Sequence, residues 1–496
     1  MKIRTIITQD AEVDDQNSLR HFLFYTNEVE LQGIIQTSSK FHWKGLKGAK
    51  PIEGRDYATK GTSFEEPFRW TGTDWMMEEI AEYEKDYPNL LKHSPDYPTP
   101  DYLRSIVKIG NIGCVSDMSY ASEGSNLIKD RILDNDDCPL YIQVWGGTNT
   151  IARALKDIQD EYQNRPGWDL LHESISKKVI LTACGEQDTT YRDYIAEEWP
   201  QIQFVTCLQM KSYAYLWFMM PECESKDTLK AKFMKEEIIN GKSALANGYC
   251  TWLDGTYYEG ESEGSQFGAN PNIVTEWFGA RMLGLKDAKQ YDFLSEGDSP
   301  TYFCLFDWGL RTLEDFSYGG ASGRYHRVYD QINSKGEILN MWVVDEDMFT
   351  GYDGKEQSLE SMWCYVADIQ RDFASRVDWA SKPKYMDGEH KPVLSIEEGL
   401  DIQAEAGSCL TLHANVFTTD KTEASINYRY YKEASSCKEA KLTQNQNSAC
   451  ISIPKDAQKG DTIHIIVQAK ANGHYGLVKY QQVIITIEQI IKVNPL

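Results

Sequence analysis

The sequence lacks any run of about 18 apolar residues, the minimum for a membrane-spanning helix, so a transmembrane segment is excluded. It also lacks a cluster of basic residues. The 496 residues include 51 Lys and Arg against 75 Asp and Glu, which gives a formal net charge of −24. A surface of this sign repels phosphate backbones, so we expect no nucleic-acid partner.

Cysteine pairs at metal-binding spacing are also missing. The 11 Cys are scattered without a CxxC motif, and a zinc site is therefore not expected. Several, such as Cys207 and Cys304, have apolar neighbours in sequence, which favours reduced, buried thiols. No apolar leader precedes the first strand-like run, residues 2–7. These features predict a cytoplasmic protein, and the alternative is a secreted or periplasmic protein whose leader has been removed.

Strand and helix patterns alternate from residue 1 to about 385, which predicts an α/β fold. We expect a mostly parallel sheet with helices on both faces. Ligands bind such sheets outside the carboxyl ends of the strands. The predicted strands are residues 3–7, 30–36, 140–144, 178–182 and 203–207, and helices are predicted at about 17–26, 149–158 and 191–198.

The pattern changes near residue 385. The polar segment 381–392 contains two prolines and predicts a linker that few contacts cross. Beyond it, β-type runs predict an immunoglobulin-like β-sandwich. These runs are residues 410–416, 424–431, 449–453, 462–469 and 482–487. We therefore divide the chain into a first domain, residues 1–385, and a sandwich domain, residues 390–496.

The strongest local signal is the acidic run from Thr8 to Asp15, directly after the first predicted strand. It contains Asp10, Glu12, Asp14 and Asp15. Four carboxylates this close repel one another unless a cation lies among them. Oxygen ligands of this kind suit Ca²⁺ or Mg²⁺ better than zinc. The alternative is a solvated acidic turn that stabilises the dipole of the following helix.

Three further segments occupy loop positions near predicted strands. Residues 144–150 include the sequence Gly147-Thr148-Asn149, although helix capping alone explains it. Residues 295–300 include Glu296 and Asp298, with an Asp-Ser-Pro turn as the alternative. Residues 319–326 form a glycine-rich run that ends in Arg324 and His326. A flexible loop is the alternative, because glycine-rich runs are also typical of such loops.

Together these segments resemble the nucleoside hydrolases. Residues 10–15 look like the aspartate-rich opening motif of that family, and residues 147–149 look like its Leu-Thr-Asn turn. The similarity is closer to the nucleoside-hydrolase-like proteins often labelled cellulose-binding, which open with a similar Glu-x-Asp-Asp run and end in a sandwich. Other stretches that resemble this subfamily are residues 102–107, 122–125, 144–149, 296–298, 319–325, 462–468 and 480–487.

The resemblance implies a Ca²⁺ site and a set of roles. Asp10, Asp15, the backbone carbonyl of Thr148 and Asp298 would bind the cation. Asp10 would also take a proton from the attacking water, and Asp14 would hold a sugar hydroxyl. The other predicted substrate contacts are Asn149, Glu123, Asp188, Glu296, Arg324 and His326. For Asp188, a plain helix cap is the alternative.

The chain departs from the nucleoside hydrolase pattern at several positions. Thr8 replaces the first aspartate, no Asn follows the second predicted strand near Ser39, and Gly297 replaces the His that activates the leaving group. Metal binding is therefore better supported than nucleoside cleavage. Two functions remain open, and both expect a small sugar-containing ligand or glycan.

The first function is a Ca²⁺-dependent N- or O-glycosyl hydrolase acting on a ribosyl-like or other sugar. The second is a non-catalytic carbohydrate-binding protein that retains the metal. A third, weaker hypothesis makes the sandwich an oligomerisation or protein-interaction module, so a homo-oligomer is an open alternative.

Overall fold

In the computed structural model, residues 2–50, 63–256, 289–419 and 422–488 are described. The first eight strands form one sheet in the order β3-β2-β1-β4-β5-β6-β8-β7. These strands are β1 (Ile3–Gln9), β2 (Val29–Gln36), β3 (Val107–Ile109), β4 (Leu140–Val144), β5 (Val179–Ala183), β6 (Gln203–Thr206), β7 (Tyr325–Val328) and β8 (Met341–Val344). All neighbours in this sheet pair in parallel except β7 with β8. The predicted α/β class is confirmed.

Helices connect the parallel strands. In the described ranges, those of seven residues or more are α1 (Val13–Leu23), α2 (Trp75–His93), α3 (Pro100–Ile106), α4 (Glu123–Ile132), α5 (Asn149–Tyr162), α6 (Trp168–Lys178) and α7 (Trp363–Trp379). Shorter α-helical turns are Ala196–Glu198, Met210–Tyr213, Glu224–Asp227, Ala231–Phe233 and Ala244–Asn247. Tyr191–Ile195 and Met234–Ile238 are π-helical, and Trp217–Met219, Ser299–Thr301, Phe303–Leu305, Phe316–Tyr318 and Tyr385–Asp387 are 3₁₀ turns.

The central sheet is buried on both faces, as a parallel sheet requires. Ile6 and Ile7 are adjacent in β1, point to opposite faces, and are each 0% exposed. Ile6 packs in the layer formed with α4, α5 and α6. Ile7 packs in the layer formed with α1, α2 and α7. The edge at which β1 and β4 end is therefore held rigidly between two apolar layers.

The remaining strands form a hairpin and a sandwich. The hairpin strands are β9 (Glu346–Thr350) and β10 (Glu356–Glu360). The sandwich strands are β11 (Val393–Ile396), β12 (Asp401–Glu405), β13 (Cys409–Phe417), β14 (Ala424–Tyr430), β15 (Lys441–Asn445), β16 (Ser448–Ser452), β17 (Thr462–Ala471) and β18 (Val478–Glu488). They form two sheets, β11-β13-β16-β15 and β12-β18-β17-β14. Leu412, Ile451, Ile465 and Ile485 pack between these sheets, and the predicted sandwich is confirmed.

The prediction that few contacts cross the linker is wrong. The Trp379 indole donates to the carbonyl of Glu389 at 2.8 Å, and Lys391 Nζ lies 3.1 Å from an Asp372 carboxylate. In the sandwich, Tyr431 and Tyr480 belong to the same buried cluster as the first domain's aromatic residues. The polar linker groups look solvated in the sequence because their partners lie far away along the chain.

The cysteine prediction is wrong for one pair. Cys409 on β13 and Cys450 on β16 form a disulfide, while Cys207 and Cys304 are buried free thiols. The register pairs Thr411 with Cys450, so the two cysteines are diagonal neighbours on adjacent strands. Strand pairing of this kind is not visible in cysteine spacing. Among the described helices, none has the length and apolar content needed to cross a bilayer.

Candidate metal centre

A sharp turn after β1 brings the acidic run to the carboxyl edge of the sheet. β1 lies between β2 and β4, and Asp10 follows its last residue. The chain then turns at Ala11, whose φ is 73°. Positive φ is uncommon outside glycine and concentrates at functional sites. Helix α1 begins directly afterwards and carries Asp14 and Asp15 in its first turn.

Four aspartates from two separated segments meet at this edge. Asp14, Asp15 and Asp298 each present one carboxylate oxygen, and these atoms lie within 4.8 Å of one another. The backbone N–H of Asp10 donates to Asp15 Oδ1 at 3.0 Å. Gly146 lies so close to Asp10 that a side chain there would place its Cβ 2.8 Å from the Asp10 Cβ. The four residues are buried rather than solvated, with exposures of at most 8%.

The aspartate group fits a hard divalent cation. Asp10 Oδ2 and Asp298 Oδ2 are buried and have no hydrogen-bond partner among the described residues. Burial, followed by the charges of Glu12 and Asp10, raises the pKa of Asp14 to about 7. Burial and neighbouring aspartates also raise the pKa of Asp15 and Asp298 well above the usual range. Buried anions without counter-charge are costly, and a cation with several oxygen ligands would remove that cost.

Thr148 and Asp188 are joined at the start of α5. The carbonyl of Thr148 accepts the helical hydrogen bond from Ala152 N at 2.8 Å. Its hydroxyl donates to Asp188 Oδ1 at 3.0 Å, and Asn149 N donates to Asp188 Oδ2 at 3.0 Å. Asp188 therefore caps α5, and burial is the main cause of the rise in its pKa. The helix-cap alternative describes its observed contacts, because Asp188 Oδ1 also accepts from Thr190 N at 3.0 Å, at the start of the helical turn that follows Asp188.

The side chain of Asn149 hydrogen-bonds to residues of the neighbouring loops. Its amide donates to Ser38 Oγ at 3.0 Å and to the carbonyls of Asn111 and Asp117 at 2.8 and 2.9 Å. Its oxygen accepts from the hydroxyl of Thr37 at 2.5 Å. These partners follow β2 and β3, so Asn149 fixes the loops beside Asp10. A sugar would have to compete with these internal bonds.

Glu296 points into the protein interior. Its carboxylate lies 2.8 Å from His21 Nδ1 and accepts from the Tyr249 hydroxyl at 2.5 Å. It also accepts a hydrogen bond from Ser299. All of these groups are buried. Glu296 thus links α1 to the turn that carries Asp298.

The structure does not bring Arg324 and His326 to the aspartates. Arg324 pairs with Asp345 and, at 2.9 Å, with Asp347, and His326 Nδ1 lies 3.3 Å from Asp345. They lie at β7, five strand positions from β1 in the sheet order. At about 4.8 Å per position, the separation is about 24 Å. Sequence motifs do not reveal strand order, which is why these residues looked like neighbours of the acidic run.

Glu123 also lies away from the four aspartates. It is exposed in the first turn of α4, which follows β3. That strand is two positions from β1, or about 10 Å. Glu123 is thus at the same edge of the sheet but outside the buried group.

Three residues of the site were not among the predicted ones. His42 Nδ1 lies 3.3 Å from the carbonyl oxygen of Asp10. Cys184 directly follows β5, and burial together with the charge of Asp298 raises its pKa well above the usual range. The Tyr215 hydroxyl opposes part of the rise in the pKa of Asp14. The position after a strand would have indicated Cys184, whereas no sequence signal marks Tyr215.

Two family models match the chain. One is described as "Cellulose-binding Sde182, nucleoside hydrolase-like domain" and matches residues 4–325. The other is described as "Cellulose-binding protein Sde0182, C-terminal domain" and matches residues 410–487. A comparison with curated protein sequences gives no match.

A solved structure with a TM-score of 0.70 supports the same fold. A nucleoside hydrolase-related hypothetical protein from Saccharophagus degradans, described as associated with carbohydrate metabolism, gives a TM-score of 0.70 at 22% identity over 98% of this chain and 100% of that one. A plant nucleoside hydrolase, PpNRh1, gives 0.32 at 9% identity over 77% and 99% of the two chains. The titin M1 domain gives 0.14 at 11% identity over 21% and 100%. The first likeness shows a shared fold, and the other two are too weak to support an argument.

Proposed function

The chain belongs to the Sde182 nucleoside hydrolase-like family, and we propose that it is a Ca²⁺-dependent hydrolase of N- or O-glycosyl bonds. Its substrate would be a ribosyl-like or other small sugar-containing molecule. The observation that carries this proposal is the buried group of Asp10, Asp14, Asp15 and Asp298, in which two carboxylate oxygens lack a hydrogen-bond partner among the described residues. Such a group needs a cation to be stable in its charged form.

Asp10, Asp15 and Asp298 would hold the Ca²⁺, together with the carbonyl of Thr148. When bound, the cation lowers the pKa of a water molecule and orients a sugar diol. The carbonyl of Thr148 already accepts a bond from Ala152 N, but a carbonyl oxygen has a second lone pair available.

Asp10 is the proposed general base. Its Oδ1 accepts from Glu12 N at 3.2 Å, which fixes the carboxylate while Oδ2 remains available for the proton of the attacking water. Asp14 would hold a sugar hydroxyl as the anomeric carbon becomes oxocarbenium-like. Gly297 offers no side chain to protonate the leaving group, so the favoured substrate carries a leaving group that departs as a stable anion.

The test is a screen of nucleosides and nitrophenyl glycosides with the full chain, in Ca²⁺ and in EGTA. We expect release of nitrophenol that stops in EGTA and returns when Ca²⁺ is restored. Turnover that persists unchanged in EGTA would contradict the metal-dependent mechanism.

A second candidate function is carbohydrate binding without hydrolysis. Gly297 favours it, because the chain has no side chain at the position that activates the leaving group in nucleoside hydrolases. The family description "cellulose-binding" agrees with this candidate. Sedimentation with cellulose, and titration with cello-oligosaccharides in Ca²⁺ or EGTA, would test it. Ca²⁺-dependent binding with no turnover of any glycoside would favour this function over hydrolysis.

A further inference from the structure

A cavity lies between the two domains, on the outer face of the sandwich sheet that contains β14 and β17. Its volume is about 290 Å³, at the lower end of the roughly 300–1,000 Å³ range of small-molecule sites. Asn427 and Arg429 of β14 line it from one strand, and their register partners Gln468 and Ile466 line it from β17. The hairpin strand β9 and the start of α7 close the other side.

The charge in this cavity is not balanced. In the described part of the chain, the guanidinium of Arg429 makes one hydrogen bond, to the Tyr365 hydroxyl at 3.1 Å. It also stacks over the Tyr431 ring, with Cζ 4.7 Å from the centroid. No carboxylate of the described residues pairs with it, although the chain has an excess of acidic residues. Because Arg429 has no carboxylate partner among the described residues, its guanidinium is available to bind an anionic ligand.

Two carboxylates that bond to residues around this cavity have other partners than Arg429. Asp368 accepts hydrogen bonds from Tyr480 and, at 3.2 Å, from Gln468. Asp347 is paired with Arg324 at 2.9 Å and accepts from the Tyr431 hydroxyl at 2.7 Å. The first turn of α7 also lines the cavity, and the positive end of the helix dipole adds to the charge of Arg429. Arg429 is thus the charged side chain among the described residues that line the cavity, and this lining favours an anion.

The walls indicate what kind of anion fits. Phe349, Tyr365 and Tyr480 supply aromatic surfaces, and Asn427 and Thr350 supply polar groups at exposed positions. A single planar guanidinium matches the two oxygens of a carboxylate. None of the described residues that line this cavity is a lysine, whereas phosphate sites usually combine several donors. Aromatic walls with hydroxyl and amide groups suit the ring of a sugar.

We infer that this cavity binds a monosaccharide carboxylate, a sugar acid of hexuronate size, at a site separate from the aspartate group. The carboxylate would pair with the free edge of the Arg429 guanidinium, and the sugar ring would lie against Tyr365 and Tyr480. Binding at this cavity does not depend on the proposed hydrolase function.

The experiment is calorimetric titration of the full chain with D-glucuronate. D-glucose lacks the carboxylate, acetate lacks the ring, and inorganic phosphate tests for a general anion site. We expect saturable glucuronate binding that weakens at least about tenfold in Arg429→Gln, the scale of a charge-assisted hydrogen bond. Glucose should bind at least about tenfold more weakly for the same reason. Acetate and phosphate keep the charge but lack the ring contacts with Tyr365 and Tyr480, and should also bind at least about tenfold more weakly. Equal binding of acetate or phosphate, or no glucuronate binding, would overturn the inference.

Three controls distinguish this cavity from the metal centre and from the rest of the domain contact. Binding in EGTA and in Asp15→Asn should be unchanged, because a sugar acid held by Ca²⁺ would be lost in both. Arg311→Gln is a matched control, since Arg311 also lies between the domains but is paired with Glu314 and Asp401. If Arg429→Gln does not fold, Asn427→Trp at the exposed mouth should block binding by filling the cavity. Full binding in a folded Asn427→Trp variant would place the ligand elsewhere and overturn the inference.

Discussion

His21 Nδ1 lies 2.8 Å from the carboxylate of Glu296, and both side chains are 0% exposed. This contact joins the helix that carries Asp14 and Asp15 to the turn that carries Asp298. The ring of His21 is fixed further by stacking on Phe373 at a centroid distance of 3.9 Å. Asp14, Asp15 and Asp298 are therefore positioned by a contact in the protein interior.

We predict that His21→Ala weakens Ca²⁺ binding by about 10- to 100-fold, the usual effect of losing a partner behind a metal ligand. His21→Gln keeps an N–H donor for Glu296 and should recover part of the affinity. His172→Ala is the control, because His172 likewise stacks on an aromatic ring, that of Trp199, and hydrogen-bonds the carbonyl of Glu198, but does so away from the site. Calorimetry on chelated protein measures the affinities. Equal affinities in all three variants would contradict the positioning role.

We predict that Asp15→Asn abolishes Ca²⁺ uptake by the chelated protein, because Asp15 faces Asp10 and Asp298 directly. The matched control is Glu398→Gln. Glu397, Glu398 and His413 form another acidic group of similar dimensions, but all three are exposed. Uptake should be unchanged in Glu398→Gln. If Asp15→Asn still takes up Ca²⁺ and Glu398→Gln does not, the metal site lies in the sandwich and not at the aspartates.

If the protein hydrolyses a glycoside, Asp10→Asn should reduce kcat by at least about 100-fold, the usual contribution of a general base. The assay must be run at saturating Ca²⁺, since Asp10 is also a proposed ligand. Asp101→Asn, at a highly exposed carboxylate paired with Arg104, is the control and should leave kcat unchanged. Near-native turnover in Asp10→Asn would exclude Asp10 as the base.

The domain contact at Gly309 gives a stability prediction. Gly309 has φ of +83°, and an added Cβ would lie 1.9 Å from the Tyr480 carbonyl oxygen of the sandwich. Gly309→Ala should therefore destabilise the protein by at least about 2 kcal/mol, from backbone strain plus the clash. Gly336→Ala is the matched control, since Gly336 has φ of +81° and nothing within 4 Å. If Tm falls equally in the two variants, the clash with the sandwich carbonyl contributes nothing to the destabilisation, and backbone strain alone explains it.

Much of the fold could be predicted from the sequence because its signals are local. Parallel strands buried on both faces read as short apolar runs, and β4 was predicted with its observed limits, Leu140–Val144. Helix α1 starts at Val13, before the predicted residue 17, and has Asp14 and Asp15 in its first turn, where the positive end of the helix dipole offsets part of the cost of their burial. Five of the eight sandwich strands, β13, β14, β16, β17 and β18, were predicted for the same reason, whereas β11, β12 and β15 were not.

The site could be predicted only in part. Asp10, Asp14 and Asp15 are close in sequence, so their proximity in space needed no knowledge of topology, whereas Asp298 depended on the resemblance. The distances to Arg324 and His326 depend on strand order, which no local pattern encodes. The linker contacts of Lys391 and the Cys409–Cys450 bond depend on partners far along the chain. Long-range pairing is thus the common reason for what was missed.

His464 gives a prediction about pH. It is 1% exposed on β17, its Nδ1 accepts from Gln482 Nε2 at 3.2 Å, and it contacts the Tyr318 ring of the first domain. Burial, followed by the positive charge of Arg311, lowers the pKa of His464 from 6.5 to about 4. The unfolded chain therefore binds a proton between pH 6.5 and 4 that the folded protein does not bind. This contribution to stability is present above pH 6.5 and is lost as the pH falls towards 4.

The loss at pH 5 should be about 2 kcal/mol for this group. It should be absent in His464→Gln, which stays neutral and can still accept from Gln482. Urea unfolding of both proteins at pH 8, 7, 6 and 5 measures it. The difference in unfolding free energy between wild type and variant should be constant above pH 7. Below pH 6.5 the wild type should lose stability relative to the variant.

His413→Gln is a control in which stability should change with pH in the opposite direction, because the hydrogen bond to Glu398 raises the pKa of the exposed His413. If the difference in unfolding free energy between the wild type and His464→Gln does not change with pH, the pKa of His464 is the same in the folded and unfolded protein. Water would then reach His464 between the domains.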